Sequence, residues 1–214
     1  MLTQSLYPAN ATGANPLSYF QVQQLQTQLI GPIDLTIEAG ECVCISGPSG
    51  SGKTLLLRAI ADLDPHTGRL FLNRTECNQF PAPMWRKQVG LLPAENRWWY
   101  ERIGDHFINR DSIWLEQLGF DQSIFDRPVI QCSTGERQRL SLLRLLQSDL
   151  KVLLLDEPTA SLDLDNVQRM EQLIKQLQIQ RQIAVLWSSH DLQQIKRVAD
   201  QHYRLKSGKL VESQ

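Results

Sequence analysis

The sequence predicts an α/β fold in which a mainly parallel β-sheet is covered by helices on both faces. Three short, largely apolar runs, Glu41–Ser46, Val152–Leu155 and Ile183–Trp187, have the composition of strands that are buried on both sides. Segments with helical periodicity separate these runs, and such an alternation is typical of parallel sheets. A glycine-rich loop follows the first run directly, at the position where sheets of this class bind ligands.

The remaining elements are predicted in chain order. Residues 1–16 are rich in Pro, Gly, Asn and Thr, and we expect a flexible leader before a single domain at 17–214. Tyr19–Leu25 and Ile33–Ile37 alternate like strands, which predicts an N-terminal antiparallel β portion. The other predicted elements are a helix at Leu55–Ala61, strands at Leu70–Leu72 and Val89–Leu92, and helices at about 134–148 and 165–179. Residues 95–130 are predicted to be mostly helical, within an inserted lobe at about 95–148.

Composition excludes several classes of function. The chain has 214 residues, 22 basic and 23 acidic side chains and a net charge of −1, and no Lys/Arg run exceeds two, so no nucleic-acid partner is expected. No apolar stretch approaches the roughly 20 residues of a membrane span, and residues 1–16 lack the pattern of a secretory signal. We therefore expect a cytoplasmic protein. Four cysteines show no metal-binding spacing, and Cys42 and Cys44 are expected on one side of a strand as reduced, buried side chains.

Residues 47–54 read GPSGSGKT and match the motif G-x-x-x-x-G-K-[ST]. The glycines let the backbone curl so that successive N–H groups converge on phosphate oxygens. Lys53 supplies a positive charge for the β- and γ-phosphates, and the Thr54 hydroxyl is a ligand for Mg²⁺. The residues assigned to nucleotide binding are Gly47, Pro48, Ser49, Gly50, Ser51, Gly52, Lys53 and Thr54. The motif predicts a P-loop NTPase.

The segment KVLLLDEP at 151–158 is an apolar strand that ends in two acidic residues. Because ligands bind at the carboxyl ends of parallel strands, Asp156 is placed to hold Mg²⁺ beside the phosphates. Glu157 is placed one residue further, where it can polarise a water for in-line attack. Acidic residues also end strands where a turn simply begins, but the glycine loop earlier in the chain favours the catalytic interpretation.

Residues 131–140 read QCSTGERQRL and place Ser133 and Glu136 at the spacing of a capping box before a Leu-rich helix. Taken alone, this pattern favours an ordinary capped helix. A helix N-terminus that carries a serine hydroxyl and Gly135 is also suited to a second anion. The residues themselves leave both interpretations open.

Four segments, GPSGSGKT, STGERQRLSLLRLL, KVLLLDEPTASLD and SSHD, occur in this order and resemble the ATP-binding subunit of ATP-binding cassette (ABC) transporters. The resemblance spans about residues 19–210. It implies a P-loop NTPase fold with an inserted helical lobe, and ATP and Mg²⁺ as cofactors. It also implies that two subunits sandwich two ATP molecules.

The resemblance also implies roles for single residues. Ser133 and Gly135 would reach the γ-phosphate of an ATP held by the second subunit. Glu157 matches the catalytic glutamate, and His190 matches the switch histidine that contacts the γ-phosphate. Asp163 matches a residue of the loop that links the two ATP sites of the dimer.

Three features depart from the family pattern. The signature segment of the family normally begins Leu-Ser-Gly-Gly. In this chain the corresponding residues, 132–135, are Cys-Ser-Thr-Gly. Where the family has Val-Pro-Gln, this chain has Leu-Pro-Ala followed by Glu95, so Glu95 is a candidate substitute for the missing glutamine. An aromatic residue that stacks on adenine is expected near 26–28, where the sequence has none, and Tyr19 lies too far upstream.

The resemblance implies an energy-coupling subunit that works with a separate transmembrane permease subunit and a second ATPase subunit, as a homodimer when ATP is bound. Such a protein is peripheral on the cytoplasmic face of the membrane. The segments ERQRLSLLRLLQ and IAVLW further resemble Fet-type ATPase subunits, linked to iron export. The inserted lobe receives the membrane subunit in this family, and we expect Trp98 and Trp99 to contribute to the docking surface.

Three alternatives to a transporter subunit fit the sequence to different degrees. A soluble ABC-type ATPase acting on DNA, chromosomes or ribosomes normally carries a long coiled-coil insertion or two cassettes, and this sequence shows neither. In a P-loop small-molecule kinase, neither the STGERQ segment nor His190 has an expected role. An ABC ATPase that regulates a membrane complex without transport stays open.

Overall fold

The computed structural model describes residues 19–213, so the predicted leader at 1–16 lies outside the described residues. The strands are β1 (Phe20–Gln26), β2 (Ile33–Ile37), β3 (Cys42–Ser46), β4 (Thr67–Leu72), β5 (Thr75–Glu76), β6 (Val89–Leu92), β7 (Val152–Asp156), β8 (Ala184–Ser188), β9 (Gln201–Lys206) and β10 (Lys209–Glu212). The α-helices are α1 (Lys53–Ile60), α2 (Ala82–Gln88), α3 (Thr134–Leu145), α4 (Leu164–Arg181) and α5 (Leu192–Val198).

The larger sheet has the strand order β10-β9-β3-β8-β7-β6. Strands β9, β3, β8, β7 and β6 run parallel, and β10 pairs antiparallel with β9 at the edge. The prediction of a mainly parallel sheet is confirmed. The carboxyl ends of β3, β7 and β8 are neighbours in this order, and the residues that follow these three strands therefore meet at one edge.

The smaller sheet is antiparallel, with the order β2-β1-β4-β5. Its first two strands match the predicted N-terminal β portion, and β1 pairs with β2 from Phe20 opposite Ile37. The small sheet places β1 and β2 over one face of the large sheet, where Phe20 and Ile37 are both fully buried.

Two hydrophobic cores lie on opposite faces of the large sheet, because successive side chains of a strand alternate between faces. On β3, Cys42 and Cys44 enter one core, and Val43 and Ile45 enter the other. The first core contains apolar residues of α3 and α4, and the second contains those of α1 and the small sheet. Helices therefore cover both faces, and the two cysteines share one side as predicted.

The segment at 95–131 differs from the prediction of a mostly helical stretch. It contains turns and three short 3-10 helices, Ile103–His106, Gln122–Asp126 and Val129–Gln131, and a regular α-helix begins only with α3. Gly119 adopts a positive φ of 78°, and Pro128 has no N–H to donate, so neither position continues an α-helix. The aromatic side chains of the segment still form the expected core, which contains Phe107, Trp114, Phe120 and Phe125.

Within residues 19–213, none of the helices combines the length and the apolar character needed to cross a lipid bilayer.

Candidate active site

The phosphate loop connects the end of β3 to the start of α1 at the carboxyl edge of the large sheet. Gly47 has a φ of 155° and Gly52 a φ of 102°, conformations that residues with side chains rarely adopt. A Cβ atom at Gly52 would lie 2.5 Å from Ile30 Cγ2, and one at Gly47 would lie 2.6 Å from the Leu205 carbonyl oxygen. The conformation of the loop therefore requires glycine at these two positions.

Lys53 is buried at the start of α1 and turns its ammonium group back over the loop. The Lys53 Nζ donates to the carbonyl oxygens of Gly47 at 2.9 Å and Pro48 at 3.4 Å. It also lies 3.8 Å from Glu157 Oε1. The positive charge is thus held between the phosphate loop and the acidic end of β7.

Thr54 and Asp156 join the first helix to strand β7. The Thr54 hydroxyl donates to Asp156 Oδ2 at 2.7 Å, and the Asp156 carboxyl is buried. These are hard oxygen donors of the kind that Mg²⁺ prefers, and Mg²⁺ usually keeps several waters and takes few protein ligands. Among residues 19–213, no cluster of three or more His, Cys, Asp or Glu side chains forms a metal site. The Thr54–Asp156 pair fits an ion that is bound partly by nucleotide phosphates.

Glu157 and His190 face each other across the ends of β7 and β8. The distance from Glu157 Oε1 to His190 Nε2 is 2.5 Å, and the same histidine nitrogen lies 3.4 Å from Lys53 Nζ. Glu157 has a φ of 46°, an uncommon left-handed conformation for a residue with a side chain. The structure therefore brings together three separate segments of the sequence, which carry Lys53 and Thr54, Asp156 and Glu157, and His190.

A pocket of about 530 Å³ opens over the loop. Its lining comprises Leu29, Ser49, Gly50, Gly52, Lys53, Thr54, Leu55, Arg58, Asp64, Glu157 and His190. Among the described residues, this lining contains no Phe, Trp or Tyr. Tyr19 packs instead against the core that contains the small sheet. Leu29, which is 76% exposed, is the most exposed apolar residue of this lining.

The signature segment lies at the start of α3. Ser133 Oγ accepts from the Glu136 N–H at 3.1 Å and the Glu136 carboxylate accepts from the Ser133 N–H at 2.8 Å, so the predicted capping box is present. A Cβ atom at Gly135 would lie 3.1 Å from the Ser161 carbonyl oxygen, which shows how closely α3 approaches the loop at 160–163. Ser133 and Gly135 do not line the phosphate-loop pocket of the described chain.

Asp163 ends that loop and caps α4. Its carboxylate accepts from the Asn166 backbone N–H at 2.9 Å and from the Asn166 amide at 2.8 Å. These hydrogen bonds, the backbone one first, lower the pKa of the Asp163 carboxyl below its ordinary value. Like Ser133 and Gly135, Asp163 lies outside the phosphate-loop pocket within the described residues.

Glu95, in the loop after β6, does not line the phosphate-loop pocket of the described residues. Glu95 lines a second groove, of about 390 Å³, together with Trp99 and Arg144. The neighbouring Asn96 amide donates to the Gln138 side chain on α3 and to the Pro93 carbonyl oxygen at 3.3 Å. Gln138 donates to the same carbonyl oxygen at 3.2 Å. The loop is therefore attached to the signature helix.

One polar residue of the site lies in the segment SSHD but has no role predicted from the sequence. Ser188, the last residue of β8, is fully buried, and its hydroxyl donates to Asp156 Oδ1 at 2.8 Å. The available signal was a serine at the end of the apolar run Ala184–Trp187, directly before Ser189 and His190. Polar residues are common at strand ends, so this signal alone did not identify a partner.

The parallel sheet, the glycine loop and the lysine-containing pocket define a P-loop nucleotide-binding protein. The model of the ABC transporter family matches residues 30–160, more than half of the chain. The chain therefore belongs to the ABC transporter family.

Two relatives and one solved structure illustrate the similarity. Protein STAR1 of Oryza sativa subsp. japonica is 33% identical over 198 residues, which cover 86% of this chain and 57% of that protein. This chain therefore spans little more than half of the rice protein. The probable iron export ATP-binding protein FetA of Escherichia coli (strain K12) is 33% identical over 181 residues, covering 78% of this chain and 80% of that protein.

The solved structure is the dimeric ATP-binding cassette MJ0796 in a post-hydrolysis state bound to ADP and Pi. It superposes with a TM-score of 0.78 at 22% identity and covers 91% of this chain and 97% of that one. At this identity the match establishes the fold, which agrees with the predicted α/β class.

Proposed function

We propose that this chain hydrolyses ATP in a site completed by a second copy of itself, and that the cycle of dimer formation powers a separate transmembrane subunit. The side chains of Lys53, Glu157 and His190 lie within 3.8 Å of one another over the phosphate loop, and this arrangement supports the proposal. In this assignment the residues at 47–54 bind the phosphates of ATP.

The chemistry follows from the two side chains at the ends of β7 and β8. Glu157 accepts a proton from a water whose oxygen bonds to the γ-phosphorus, and the bond from that phosphorus to the β,γ-bridging oxygen breaks to release ADP. His190 contacts the γ-phosphate and holds Glu157 by the 2.5 Å contact. Because Lys53 lies near Glu157 and His190, its positive charge also stabilises the negative charge on the transferred phosphoryl group.

Thr54 and Asp156 are proposed to hold Mg²⁺ at the edge of the pocket. When bound, the ion neutralises charge on the β- and γ-phosphate oxygens. The support is the 2.7 Å hydrogen bond between the two side chains, which places two hard oxygen donors together beside Lys53.

The signature residues are proposed to act on the ATP of the second copy. Ser133 and Gly135 do not line the phosphate-loop pocket of their own chain. At the start of α3, Ser133 supplies a hydroxyl, and Gly135 has no side chain to cover the backbone. Asp163, in the loop against Gly135, is placed to link the two sites. The dimeric assembly of the structural relative with ADP and Pi supports this arrangement.

The second groove is proposed to receive a cytoplasmic helix of the transmembrane subunit. Trp99 is 64% exposed beside the groove, whereas Trp98 is partly buried against the core. The Arg144 guanidinium lies 4.6 Å and 4.9 Å from the centroids of these two rings. An exposed aromatic residue held by its neighbours is a common anchor of protein interfaces. The chain would thus be peripheral on the cytoplasmic face of the membrane.

The transported substrate is proposed to be a metal ion, with iron exported from the cytoplasm. The support is the similarity to the E. coli protein described as a probable iron export ATP-binding protein.

A tagged chain, captured from membranes solubilised in mild detergent, tests the transporter assignment. We expect a polytopic membrane protein to copurify in stoichiometric amount and Trp99→Ala to reduce its recovery about tenfold or more. Ile179→Ala on α4 is a matched control, because Ile179 is also 64% exposed but lies away from the groove. Recovery of soluble partners only would favour a repurposed ATPase, and equal recovery with Trp99→Ala would exclude this docking surface.

A further inference from the structure

Ser188 contacts the two acidic residues of the site at the same time. Its hydroxyl donates to Asp156 Oδ1 at 2.8 Å and accepts from the Glu157 N–H at 3.0 Å. The Ser188 side chain is fully buried, and β7 and β8 pair in parallel with Asp156 opposite Ser188. One hydroxyl therefore uses its donor and an acceptor on two consecutive residues that have different proposed roles.

The first contact fixes how the Asp156 carboxylate is rotated. Thr54 donates to Oδ2 and Ser188 donates to Oδ1, so each carboxylate oxygen has its own hydroxyl donor. With Oδ1 held by β8, Oδ2 is the oxygen that faces Thr54 and the proposed Mg²⁺ position. An apolar side chain at 188 would leave the buried Oδ1 without this donor, at the cost of an unsatisfied polar atom.

The second contact supports the backbone of Glu157. This residue adopts a φ of 46°, which is unfavourable for a residue with a side chain. Its N–H is held by both the hydroxyl and, at 3.2 Å, the carbonyl oxygen of Ser188. The left-handed turn directs the Glu157 carboxylate to His190 and Lys53, and Ser188 stabilises that turn.

We propose that Ser188 is a positioning residue that sets metal affinity and turnover together, by orienting the Asp156 carboxylate and the Glu157 backbone. This inference rests on the proposed function, because it concerns the same site. Residues that orient metal ligands change metal affinity or activity by about 10–100-fold when they are replaced.

The test compares Ser188→Thr with Ser188→Val, two side chains of nearly the same shape that differ in the hydroxyl. Relative to the threonine variant, the valine variant is expected to lose about 10–100-fold in kcat and to need more Mg²⁺ for half-maximal ATPase. The affinity of a fluorescent ATP analogue in EDTA should agree within about twofold between the two, because the phosphate loop is unchanged. The affinity gained on adding Mg²⁺ should be smaller for valine.

Ser141→Ala is the matched control for removal of a buried serine hydroxyl. Ser141 Oγ is buried on α3 and has no hydrogen-bond partner within the described part of the chain, so its loss should leave the Mg²⁺ dependence unchanged. The unfolding temperatures of the metal-free variants show whether each chain is folded.

Equal kcat and equal Mg²⁺ dependence in the two Ser188 variants would overturn the inference. A valine variant that loses analogue affinity equally with and without Mg²⁺ would also overturn it, since the effect would then be a general disturbance of the pocket. A wild-type chain that binds the analogue without hydrolysing ATP would instead contradict the proposed function. In that case, the affinity of the analogue with Mg²⁺ and with EDTA would still test the role of Ser188.

Discussion

The nucleotide site and the inserted segment at 95–131 are built in different ways. At the site, the functional side chains follow the adjacent strands β3, β7 and β8, whose parallel pairing fixes where each strand ends. In the inserted segment, short 3-10 helices and turns are held by side-chain contacts, among them the rings of Phe107 and Phe125 with centroids 5.1 Å apart.

The two regions therefore differ in what a substitution disturbs. In the site, a substitution can remove a chemical group while the sheet that positions it stays intact. In the inserted segment, a substitution removes part of the packing that defines the local structure. Changes at the site should therefore act on turnover, and changes in the inserted segment on stability.

The largest effect is expected from Glu157→Gln. Loss of the carboxylate removes general-base assistance and should lower kcat by about 10²–10⁴-fold, while ATP binding is retained because the phosphate loop is unchanged. Steady-state ATPase assays and equilibrium nucleotide binding measure the two quantities. Glu95→Gln is the control, because Glu95 lines the other groove. If Glu95→Gln were the inactive variant instead, the catalytic assignment would move to Glu95.

Phe125→Ala tests the inserted segment by the opposite criterion. The ring is buried against Phe107, and its removal should lower the free energy of unfolding by about 3–5 kcal/mol. Denaturant titration measures this change. The affinity for a fluorescent ATP analogue under native conditions should stay within about twofold, since Phe125 does not line the pocket. A large loss of affinity with no loss of stability would show that Phe125 acts on the nucleotide site and not on the packing of the inserted segment.

Arg144→Gln should have a smaller effect on stability. The guanidinium is partly buried over Trp98 and Trp99, and loss of both contacts should cost about 1–2 kcal/mol in denaturant titration. Arg181→Gln is a matched control, because exposed Arg181 lies 5.4 Å from the ring centroid of Trp114 and should contribute less. An equal cost in both variants would mean that burial does not strengthen the Arg144 contacts.

The smallest expected effect is a pH dependence carried by His106. Its Nε2 accepts from the Trp99 and Tyr100 N–H groups, and its Nδ1 lies 3.0 Å from the Arg102 carbonyl oxygen, so the bonded form is neutral with the proton on Nδ1. Burial lowers the pKa of His106 below its ordinary value of 6.5, and nearby Arg144 acts in the same direction. Below pH 6.5 the unfolded chain therefore binds more protons than the folded one, and stability falls as the pH falls toward the lowered pKa.

His106→Gln should reduce the slope of unfolding free energy against pH in this window. Part of the slope will remain, because burial also lowers the pKa of His202. Denaturant titrations between about pH 8 and pH 5 measure the slope. An unchanged slope in the variant would show that His106 does not carry the effect.

The same physical difference explains how much could be predicted from the sequence. Strands β3, β6, β7 and β8 of the large sheet are mainly apolar runs, and the phosphate loop is a contiguous motif, so these parts were predictable. The C-terminal hairpin was missed, because β9 is mostly polar and Leu205 is its one fully buried residue. Helix α5 was also missed, although its start has a local signal in Asp191, whose carboxylate accepts from the Gln193 and Gln194 N–H groups.

The inserted segment could not be predicted in the same way. Its composition is apolar and aromatic, but the contacts that order it join residues distant in sequence, such as Arg144 and Trp98. Composition therefore predicted a buried core there correctly and its helical content wrongly. Ser188 belongs to the same class of omission, because its role depends on which strand lies beside β8.

Two copies of the chain are proposed to enclose ATP between the phosphate loop of one and the signature segment of the other. Sedimentation velocity of Glu157→Gln tests this arrangement. With ATP and Mg²⁺ present, this variant should sediment as a dimer, and with EDTA or after the further change Ser133→Arg it should sediment as a monomer. A Glu157→Gln chain that binds ATP and Mg²⁺ but remains monomeric would contradict the composite site.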